Sequence, residues 1–198
     1  MWQHGVMTRF RYLVASSADG YIADEHDSLE WLFAFNDYHV GFGDPVEAFM
    51  TEIGSLVMGA DTYRWLTAHM RSTGEPWPYP DLPCWVFTHR ELAAEPGADL
   101  SFIRGDVDEW VGDIEADAGA KDVWVLGGGG LAGQLAEAGH LDELILYTMP
   151  VLLGGGRPLA SLRAPLLLTP TSSREFGLGV RETRYDVGKP PAVNRTEY

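Results

Sequence analysis

Residues 122–138 read DVWVLGGGGLAGQLAEA, and this stretch carries the strongest structural signal in the chain. The apolar run from Asp122 to Leu126 predicts a buried strand, and residues 131–138 predict a helix that ends at Gly139. The four glycines between them, residues 127–130, let the backbone approach a ligand closely. Because a helix start presents free N–H groups and a partial positive charge, this turn could hold a pyrophosphate. The alternative is a tight strand–helix turn that binds nothing.

The same glycines formally match the dinucleotide-binding fingerprint of Rossmann folds, as Gly128-x-Gly130-x-x-Gly133. A Rossmann site needs an acid at the end of the next strand to hold the ribose. The next predicted strand ends in Thr148-Met149-Pro150, which contains no acid. The glycines also lie late in the chain, whereas a Rossmann turn usually follows the first strand. The sequence therefore argues against a Rossmann fold.

Strand-like and helix-like segments alternate on both sides of this unit. The predicted strands are 10–17, 56–58, 84–88, 122–126 and 144–148, followed by 172–176 and 180–187 joined at Gly177-Leu178-Gly179. The predicted helices begin at Pro45 after an Asp44 N-cap, cover 62–70 with Asp61 as the cap, and cover 107–118 and 131–138. This order predicts an α/β fold with a mostly parallel sheet and an antiparallel C-terminal hairpin. Ligands of such sheets bind beyond the carboxyl ends of the strands.

The composition limits the classes of partner and site. The net charge of −15 disfavours nucleic acid, whose phosphates it would repel. Cys84 is the single cysteine, which excludes an intramolecular disulfide and a cysteine zinc cluster and suits a reducing cytoplasm. The six histidines are scattered without metal-ligand spacing, so we predict no metal. No apolar run approaches the roughly 18 residues of a membrane helix, so we predict no membrane association.

The length of 198 residues suits one domain. We place that domain at residues 9–187, with an N-terminal extension over 1–8 and a flexible tail over 188–198. Residues 71–83 hold four prolines and predict a long loop that is either disordered or functional. The second glycine run, residues 154–156, has no helix after it and predicts a structural turn.

Five segments in order carry a resemblance: SADGYIA at 17–23, LVMGADTY at 56–63, VFTH at 86–89, VLGGGG at 125–130 and PVLLGGG at 150–156. Together they resemble the dihydrofolate reductase-like superfamily. The chain is most similar to the C-terminal reductase domain of the bifunctional riboflavin-biosynthesis deaminase-reductase and to standalone bacterial proteins built on that domain, over Phe10 to Val187. The resemblance implies a three-layer dihydrofolate reductase-like fold and NADPH-dependent reductase activity. The deaminase half is not expected, because its zinc site would need a second cysteine after Pro83-Cys84.

The resemblance also implies a cofactor site. Ala15 and Ile22 would flank the nicotinamide carboxamide, and Gly59 and Thr62 would touch the pyrophosphate. The residues expected at the adenosine ribose and its 2′-phosphate are Thr88, His89 and Arg90. Those expected at the other phosphate and the nicotinamide side are Gly127, Gly128, Gly129, Gly130 and Leu131.

One position departs from the family pattern. Relatives usually carry a basic residue directly after the Met58-Gly59 pair, whereas this chain has Ala60 followed by Asp61. An acid beside a phosphate is unfavourable at short range, although His89 and Arg90 could compensate. We therefore expect NADPH as the cofactor, with NADH as the alternative.

Two carboxylates are candidates for the catalytic proton source. Asp19 follows the first strand at its ligand-facing end and would also border the substrate, unless Asp19-Gly20 is simply a turn. Glu47 lies on the helix that corresponds to the carboxylate-bearing helix of dihydrofolate reductase, unless it only completes a capping box with Asp44. Trp31 could stack on a flat substrate and Tyr147 could donate a hydrogen bond to it; core packing is the alternative for both.

These features predict an NAD(P)H-dependent reductase of a small pteridine- or pyrimidine-like ring. The competing hypothesis is a non-catalytic nucleotide-binding or assembly protein that keeps the reductase fold, which Ala60-Asp61 favours. Apolar stretches at 151–153 and 166–168 could pair across an interface, and the resemblance implies a homodimer.

Overall fold

A mixed β-sheet forms the centre of the protein, whose computed structural model describes residues 7–41 and 43–188. Within these residues the strands are β1 (Phe10–Ser17), β2 (Tyr21–Ala23), β3 (Ile53–Gly59), β4 (Cys84–Phe87), β5 (Leu100–Ile103), β6 (Asp122–Gly127), β7 (Leu141–Met149), β8 (Arg157–Pro158), β9 (Leu168–Glu175) and β10 (Arg181–Val187). The main sheet has the order β5-β4-β3-β6-β1-β7-β10-β9, and β2 pairs with β8. Neighbours from β5 to β7 are parallel, whereas β10 is antiparallel to both β7 and β9. The mostly parallel sheet with an antiparallel C-terminal hairpin is therefore confirmed.

Helices cover both faces of the sheet and produce three layers. They are α1 (Glu30–Phe33), α2 (Pro45–Met50), α3 (Ala60–Thr73), α4 (Val111–Ala118) and α5 (Gly129–Ala138), with short 3₁₀ turns at Val107–Glu109 and Gly177–Gly179. Strand side chains alternate between the faces, so Phe10 and Tyr12 of β1 pack in the cluster that contains α4 and α5. Leu13 packs in the opposite cluster, with α2 and α3. The three-layer arrangement is that of the predicted fold.

Two helix starts differ from the prediction. The helix expected over 62–70 begins at Ala60 with Gly59 as its N-cap, so Asp61 lies in the first turn instead of capping it. The helix expected from Leu131 begins at Gly129. In both cases a glycine at the strand end has the extended backbone of an N-cap residue, and the helix starts directly after it. Each helix N-terminus is therefore closer to the sheet edge than the sequence suggested.

Several short elements were missed. Strands β2, β5 and β8 and the single-turn helix α1 have two to four residues each, too few to establish a period. The pairing of β2 with β8 brings the second glycine run against residues 23–25. A Cβ on Gly156 would overlap the carbonyl oxygen of Ala23, so this run is a packed turn, in line with the prediction.

The proline-rich stretch after α3 is ordered by aromatic packing. Trp77 is buried and donates its indole N–H to the carbonyl of Tyr79. Tyr79 in turn contacts the ring of Trp124 in the sheet.

The extension predicted over 1–8 and the tail predicted over 188–198 lie almost wholly outside the described residues.

A buried charge network ties the strands together at the end opposite the glycine turns. The Arg11 guanidinium on β1 lies 2.6 Å from Glu143 and 3.2 Å from Asp122, and it also pairs with Glu52.

Helices in the described residues are all too short or too polar to cross a membrane.

Candidate active site

Two glycine corners lie side by side at the carboxyl edge of the sheet. Gly59 ends β3 and Gly127 ends β6, and these strands are parallel neighbours with Met58 opposite Gly127. A Cβ on Gly59 would lie 3.8 Å from the backbone nitrogen of Gly128. A Cβ on Gly127 would lie 3.4 Å from Oγ1 of Thr62, in the first turn of α3. The corners therefore form one narrow crevice, with a hydroxyl on its wall and a helix start on each side.

Only part of the glycine run faces this crevice. A Cβ on Gly129 would overlap the carbonyl oxygen of Pro158, so Gly129 allows α5 to pack against the chain after β8. The side chain of Leu131 is buried in the core, and its N–H donates to the carbonyl of Gly128 at 3.0 Å. Both residues were expected to contact the cofactor. Leu131 is placed as a core residue, whereas Gly129 both packs against this chain segment and begins α5 at the crevice, where its backbone remains part of the helix start. Gly130 has open space around its Cα.

The nearby cations are already paired with a carboxylate. The Arg90 guanidinium lies 2.9 Å from Oδ1 of Asp61, and that of Arg64 lies 3.8 Å from the same oxygen. Thr88 is buried, and its hydroxyl accepts from the N–H of Arg90, whereas His89 is exposed. Asp61 therefore reduces the positive charge that an additional phosphate would meet here.

These residues fit the diphosphate of a dinucleotide. The first N–H groups of a helix have no partner within the helix, and both α3 and α5 begin at the crevice. The glycines remove the side chains that would block close approach. On the nicotinamide side, a Cβ on Gly128 would lie 4.0 Å from Cδ1 of Ile22. The donor set suits an anionic diphosphate better than it suits a further phosphate at Arg90.

A cavity of about 250 Å³ lies between the sheet and the segment that contains α1 and the start of α2. Its floor comes from β1 and β7, and β1 is also the neighbour of β6, which carries the glycine corner. The lining residues are Leu13, Ala15, Leu32, Phe35, Asn36, Tyr38, His39, Asp44, Val46, Tyr147 and Met149. This mixture of apolar walls with a few polar groups is typical of a small-molecule site.

Tyr147 lines the cavity, but its hydroxyl is already engaged. It donates to Oε2 of Glu182, the residue opposite it on β10, in a very short hydrogen bond. The other oxygen, Oε1, accepts from Nε of Arg184 at 2.7 Å. Burial and the Glu182 carboxylate raise the pKa of Tyr147 above its ordinary value. The expectation that Tyr147 donates to substrate is therefore corrected, because its proton is committed to Glu182.

Tyr38 connects this pair with the start of α2. The Tyr38 ring meets the Tyr147 ring edge-on, with 5.7 Å between the ring centroids. Burial, reinforced by the carboxylates of Asp44 and Glu182, raises the pKa of Tyr38 to about 12. The Asp44 carboxylate lines the cavity while its Oδ1 accepts from the N–H groups of Val46 and Glu47. The polar part of the lining thus combines the Asp44 carboxylate with the side chains of Asn36, Tyr38 and His39.

Asp19 does not have the properties of a proton donor. Its carboxylate accepts from Oγ of Ser17 at 2.6 Å and from the N–H groups of Leu153 and Gly154 at 3.1 and 2.7 Å. These hydrogen bonds, with that from Ser17 the largest, lower the pKa of Asp19 to about 2. It is therefore ionised near neutral pH. Its placement assigns it to fastening the turn before the second glycine run.

The remaining predicted residues lie apart from the cavity lining. Glu47 is exposed on α2, and its backbone N–H helps to cap the helix through Asp44. Trp31 is half-buried and packs against the hydrophobic cluster that contains Leu13, α2 and α3. Its indole Nε1 is buried and has no hydrogen-bond partner in the described part of the chain. Neither Glu47 nor Trp31 is therefore among the residues that line the cavity.

Sequence reasoning missed Tyr38, His39 and Glu182. The signal for Glu182 was an acid inside the predicted strand 180–187, but its burial depends on pairing with a strand 35 positions away. Tyr38 and His39 lie in an irregular segment without a periodic pattern. Among the described residues, no group of three His, Cys, Asp or Glu side chains could hold a metal ion.

Comparison with known proteins identifies relatives over most of the chain. A family model described as the RibD C-terminal domain matches residues 67–181. YwjB of Bacillus subtilis (strain 168), an uncharacterised protein, is 28% identical over 170 residues, which cover 85% of this chain and 92% of YwjB. A structure from Shewanella sp. PV-4, named for riboflavin biosynthesis, has a TM-score of 0.75 at 26% identity and covers 92% of this chain and 100% of that one.

The fold similarity extends to a more distant enzyme. Dihydrofolate reductase from Enterococcus faecalis, complexed with NADP(H) and RAB-propyl, has a TM-score of 0.62 at 13% identity. The match covers 92% of this chain and 98% of the reductase. At this level of identity the similarity establishes the dihydrofolate reductase-like fold.

Proposed function

The chain belongs to the RibD C-terminal domain family, and we propose that it is an NAD(P)H-dependent reductase that transfers a hydride to a small pteridine- or pyrimidine-like ring. The observation that carries this proposal is the bare crevice of Gly59, Thr62, Gly127 and Gly128 at the same sheet edge as a largely apolar cavity. A crevice of this kind suits a dinucleotide diphosphate, and the cavity suits a flat ring.

Under this proposal the cofactor supplies the hydride, and the residues of this chain bind and orient the reactants. The starts of α3 and α5 bind the diphosphate through backbone N–H groups, with Thr62 as a side-chain donor. Ala15 and Ile22 flank the nicotinamide. Thr88, His89 and Arg90 meet the adenosine end. We propose NADPH as the cofactor and keep NADH as an alternative, because Asp61 already pairs with Arg90.

The cavity residues exclude water from the ring and supply polar contacts to it. Leu13, Phe35 and Met149 contribute apolar surface. Asp19 is ionised and Glu47 is exposed, so we assign the proton source to His39, which lines the cavity. Histidine is the most frequent acid–base residue in enzymes.

The substitution Gly59→Val tests the cofactor site. Its Cβ would make only ordinary contacts, at 3.8 and 3.9 Å, so the fold should persist while the side chain obstructs the crevice. Gly112→Val is the matched control, because Gly112 is exposed on α4 with open space around it. We expect NADPH to quench tryptophan fluorescence in the control as in the wild type. Gly59→Val should weaken binding by at least about tenfold, or ~1.4 kcal/mol. Unchanged binding in Gly59→Val would refute this cofactor site.

The second candidate is a non-catalytic nucleotide-binding or assembly protein with the same fold. The observation that favours it is the Asp61–Arg90 pair, which places an acid where a cofactor phosphate would have to approach. The two functions differ in one measurement. NADPH binding without oxidation of NADPH in the presence of any dihydropteridine or pyrimidine substrate supports the binding protein, whereas oxidation supports the reductase.

We further propose that the protein is cytoplasmic and forms a homodimer. The cytoplasmic assignment is supported by the single, buried cysteine, which forms no intramolecular disulfide. The dimer is supported by leucines that remain exposed in the described chain, including Leu152, Leu167 and Leu168. No nucleic-acid partner is proposed, because the net charge is −15.

A further inference from the structure

We infer that Asp61 weakens the preference of the crevice for a 2′-phosphorylated dinucleotide, so that the chain binds NADH and NADPH with similar affinity. This inference rests on the proposed function, since it concerns the cofactor that would supply the hydride. It assigns a specificity role to an exposed acid in the first turn of α3, directly before Thr62.

The sheet order determines the direction in which a bound dinucleotide would extend. The crevice lies between β3 and β6, and the cavity floor comes from β1 and β7, on the β6 side of the crevice. A dinucleotide whose nicotinamide points toward that cavity directs its adenosine the other way, past β3 to β4. The segment after β4 contains Thr88, His89 and Arg90, and Arg90 pairs with Asp61 at the start of α3. The adenosine end would therefore meet charged groups from both segments.

Asp61 holds two arginines at this end of the crevice. Its Oδ1 lies 2.9 Å from Nη1 of Arg90 and 3.8 Å from Nη1 of Arg64. More than half of each of these three side chains is exposed, so a ligand can approach them from solvent. One carboxylate between two guanidinium groups cancels one of their two positive charges. A 2′-phosphate would therefore meet half of the positive charge that the two arginines alone would present.

The arginine on the α5 side of the crevice is also paired with an acid. Arg157 precedes Pro158, whose carbonyl oxygen packs at Gly129, the first residue of α5. The Arg157 guanidinium donates two hydrogen bonds to the carboxylate of Asp27. The hydrogen bond and charge of Asp27, and to a smaller extent the charge of Asp61, raise the pKa of Arg157 above its ordinary value. The negative charge of Asp61 thus acts on both sides of the crevice.

The two cofactors depend on these charges to different degrees. NADH and NADPH share the diphosphate, for which the starts of α3 and α5 supply backbone N–H groups. NADPH differs from NADH only by its 2′-phosphate, which would depend on Arg90 and Arg64 for compensation of its charge. Any effect of Asp61 on the shared diphosphate is common to both cofactors and cancels in the ratio of their affinities. Its effect on the 2′-phosphate does not cancel, and the ratio therefore reports the role of Asp61.

The test uses two probes that differ only in this phosphate, AMP and adenosine 2′,5′-bisphosphate. Isothermal titration calorimetry at low salt measures both affinities, because salt screens exposed charges. We expect the wild type to bind the two probes within about threefold of each other. Asp61→Asn should raise the preference for the 2′-phosphorylated probe by about fivefold, the effect of one exposed charge pair. Asp186→Asn, which removes an exposed acid from its pair with Arg9 at the opposite edge of the sheet, changes the net charge equally and should keep the wild-type preference.

The double variant Asp61→Asn with Arg90→Gln has the same net charge as the wild type and should return the preference to the wild-type value. The inference would be overturned by an unchanged preference in Asp61→Asn, by a gain that persists in the double variant, or by a failure of the wild type to bind either probe. A wild type that prefers the 2′-phosphorylated probe by more than about tenfold would overturn it as well.

The probes contain no nicotinamide, so the outcome is independent of hydride transfer. The expected ratios without oxidation of NADPH would reject the reductase proposal and leave the role of Asp61 standing. Oxidation of NADPH with a ratio that Asp61→Asn does not change would reject the role of Asp61 alone.

Discussion

At the scale of single residues, Asp19 illustrates how a candidate catalytic group can have a structural task. Its carboxylate joins the end of β1 to the backbone at Leu153 and Gly154, which are more than 130 positions away in the chain. The three hydrogen bonds that the Asp19 carboxylate accepts stabilise its ionised form. Because these hydrogen bonds form only in the folded protein, ionised Asp19 contributes to the stability of the fold.

We predict that this contribution is lost in acid. The folded-state pKa of Asp19 is about 2, below its ordinary value of 3.8, so its contribution is complete above that ordinary value. It should disappear as the pH falls from 3.8 towards 2. Asp19→Asn lacks the ionised form, so its urea midpoint should decline less steeply over this range than that of the wild type.

Two controls complete this test. Asp113→Asn, on the exposed side of α4, should follow the acid profile of the wild type. Asp19→Asn should also keep most of the proposed reductase activity at neutral pH, because the ionised Asp19 donates no proton. Parallel pH profiles for Asp19→Asn and wild type would contradict the assigned role.

How far the site could be predicted also depends on the residue. Gly59, Thr62 and Gly127 could be placed in one crevice from sequence, because each lies at a strand end or in the helix turn that follows it. Glu182 could not be, since an acid inside a predicted strand reveals neither its partner nor which face it occupies. The direction of the Tyr147 hydroxyl depended on that missing partner, and the sequence therefore suggested the wrong polarity.

At the scale of elements, prediction succeeded where a segment was long and apolar. β1 was predicted with its observed bounds, Phe10–Ser17, because it is a long, largely apolar strand. β2 and β8 exist because they pair with each other across the chain, and neither has a pattern of its own. β5 was missed for the same reason, as its four residues are a strand mainly through pairing with β4.

The packing of α5 allows a matched prediction within one helix. A Cβ on Gly133 would overlap the carbonyl oxygen of Ser161, whereas a Cβ on Gly130 would meet nothing within 4 Å. Gly133→Ala should therefore destabilise the protein by about 1–3 kcal/mol, the usual cost of overpacking. Gly130→Ala should be neutral or stabilising by up to about 1 kcal/mol, because alanine favours the helix. Urea unfolding followed by circular dichroism measures both, and equal stabilities would contradict this packing.

At the scale of the whole molecule, the site exists because the sheet order brings distant segments together. β1, β3, β6 and β7 end at one edge although they are separated by long stretches of sequence. The parallel connections deliver two helix starts and the cavity floor to that same edge. The antiparallel hairpin then adds Glu182 beside Tyr147. The crevice between the glycine corners and the neighbouring cavity thus both depend on this sheet order.

Within residues 7–41 and 43–188, no further strand pairs with β9, which lies at one edge of the main sheet. β9 is the edge strand at this end of the sheet, and all eight of its residues are exposed. Leu167 and Leu168, at its start, are 56% and 37% exposed. Apolar groups beside an unpaired strand edge favour association with another chain. We therefore predict a homodimer that buries this region.

The net charge of −15 determines how that dimer should respond to salt. Two copies repel each other, and salt screens the repulsion over a distance of about 10 Å at 0.1 M. Sedimentation velocity should show association that strengthens as salt is added. The double substitution Leu167→Glu and Leu168→Glu should give monomers, because a dimer would have to bury the new carboxylates in its interface. Leu178→Glu, at an exposed leucine in the turn beyond β9, should leave the dimer intact. A wild type that remains monomeric at micromolar concentration in high salt would show that this edge is not a dimer interface.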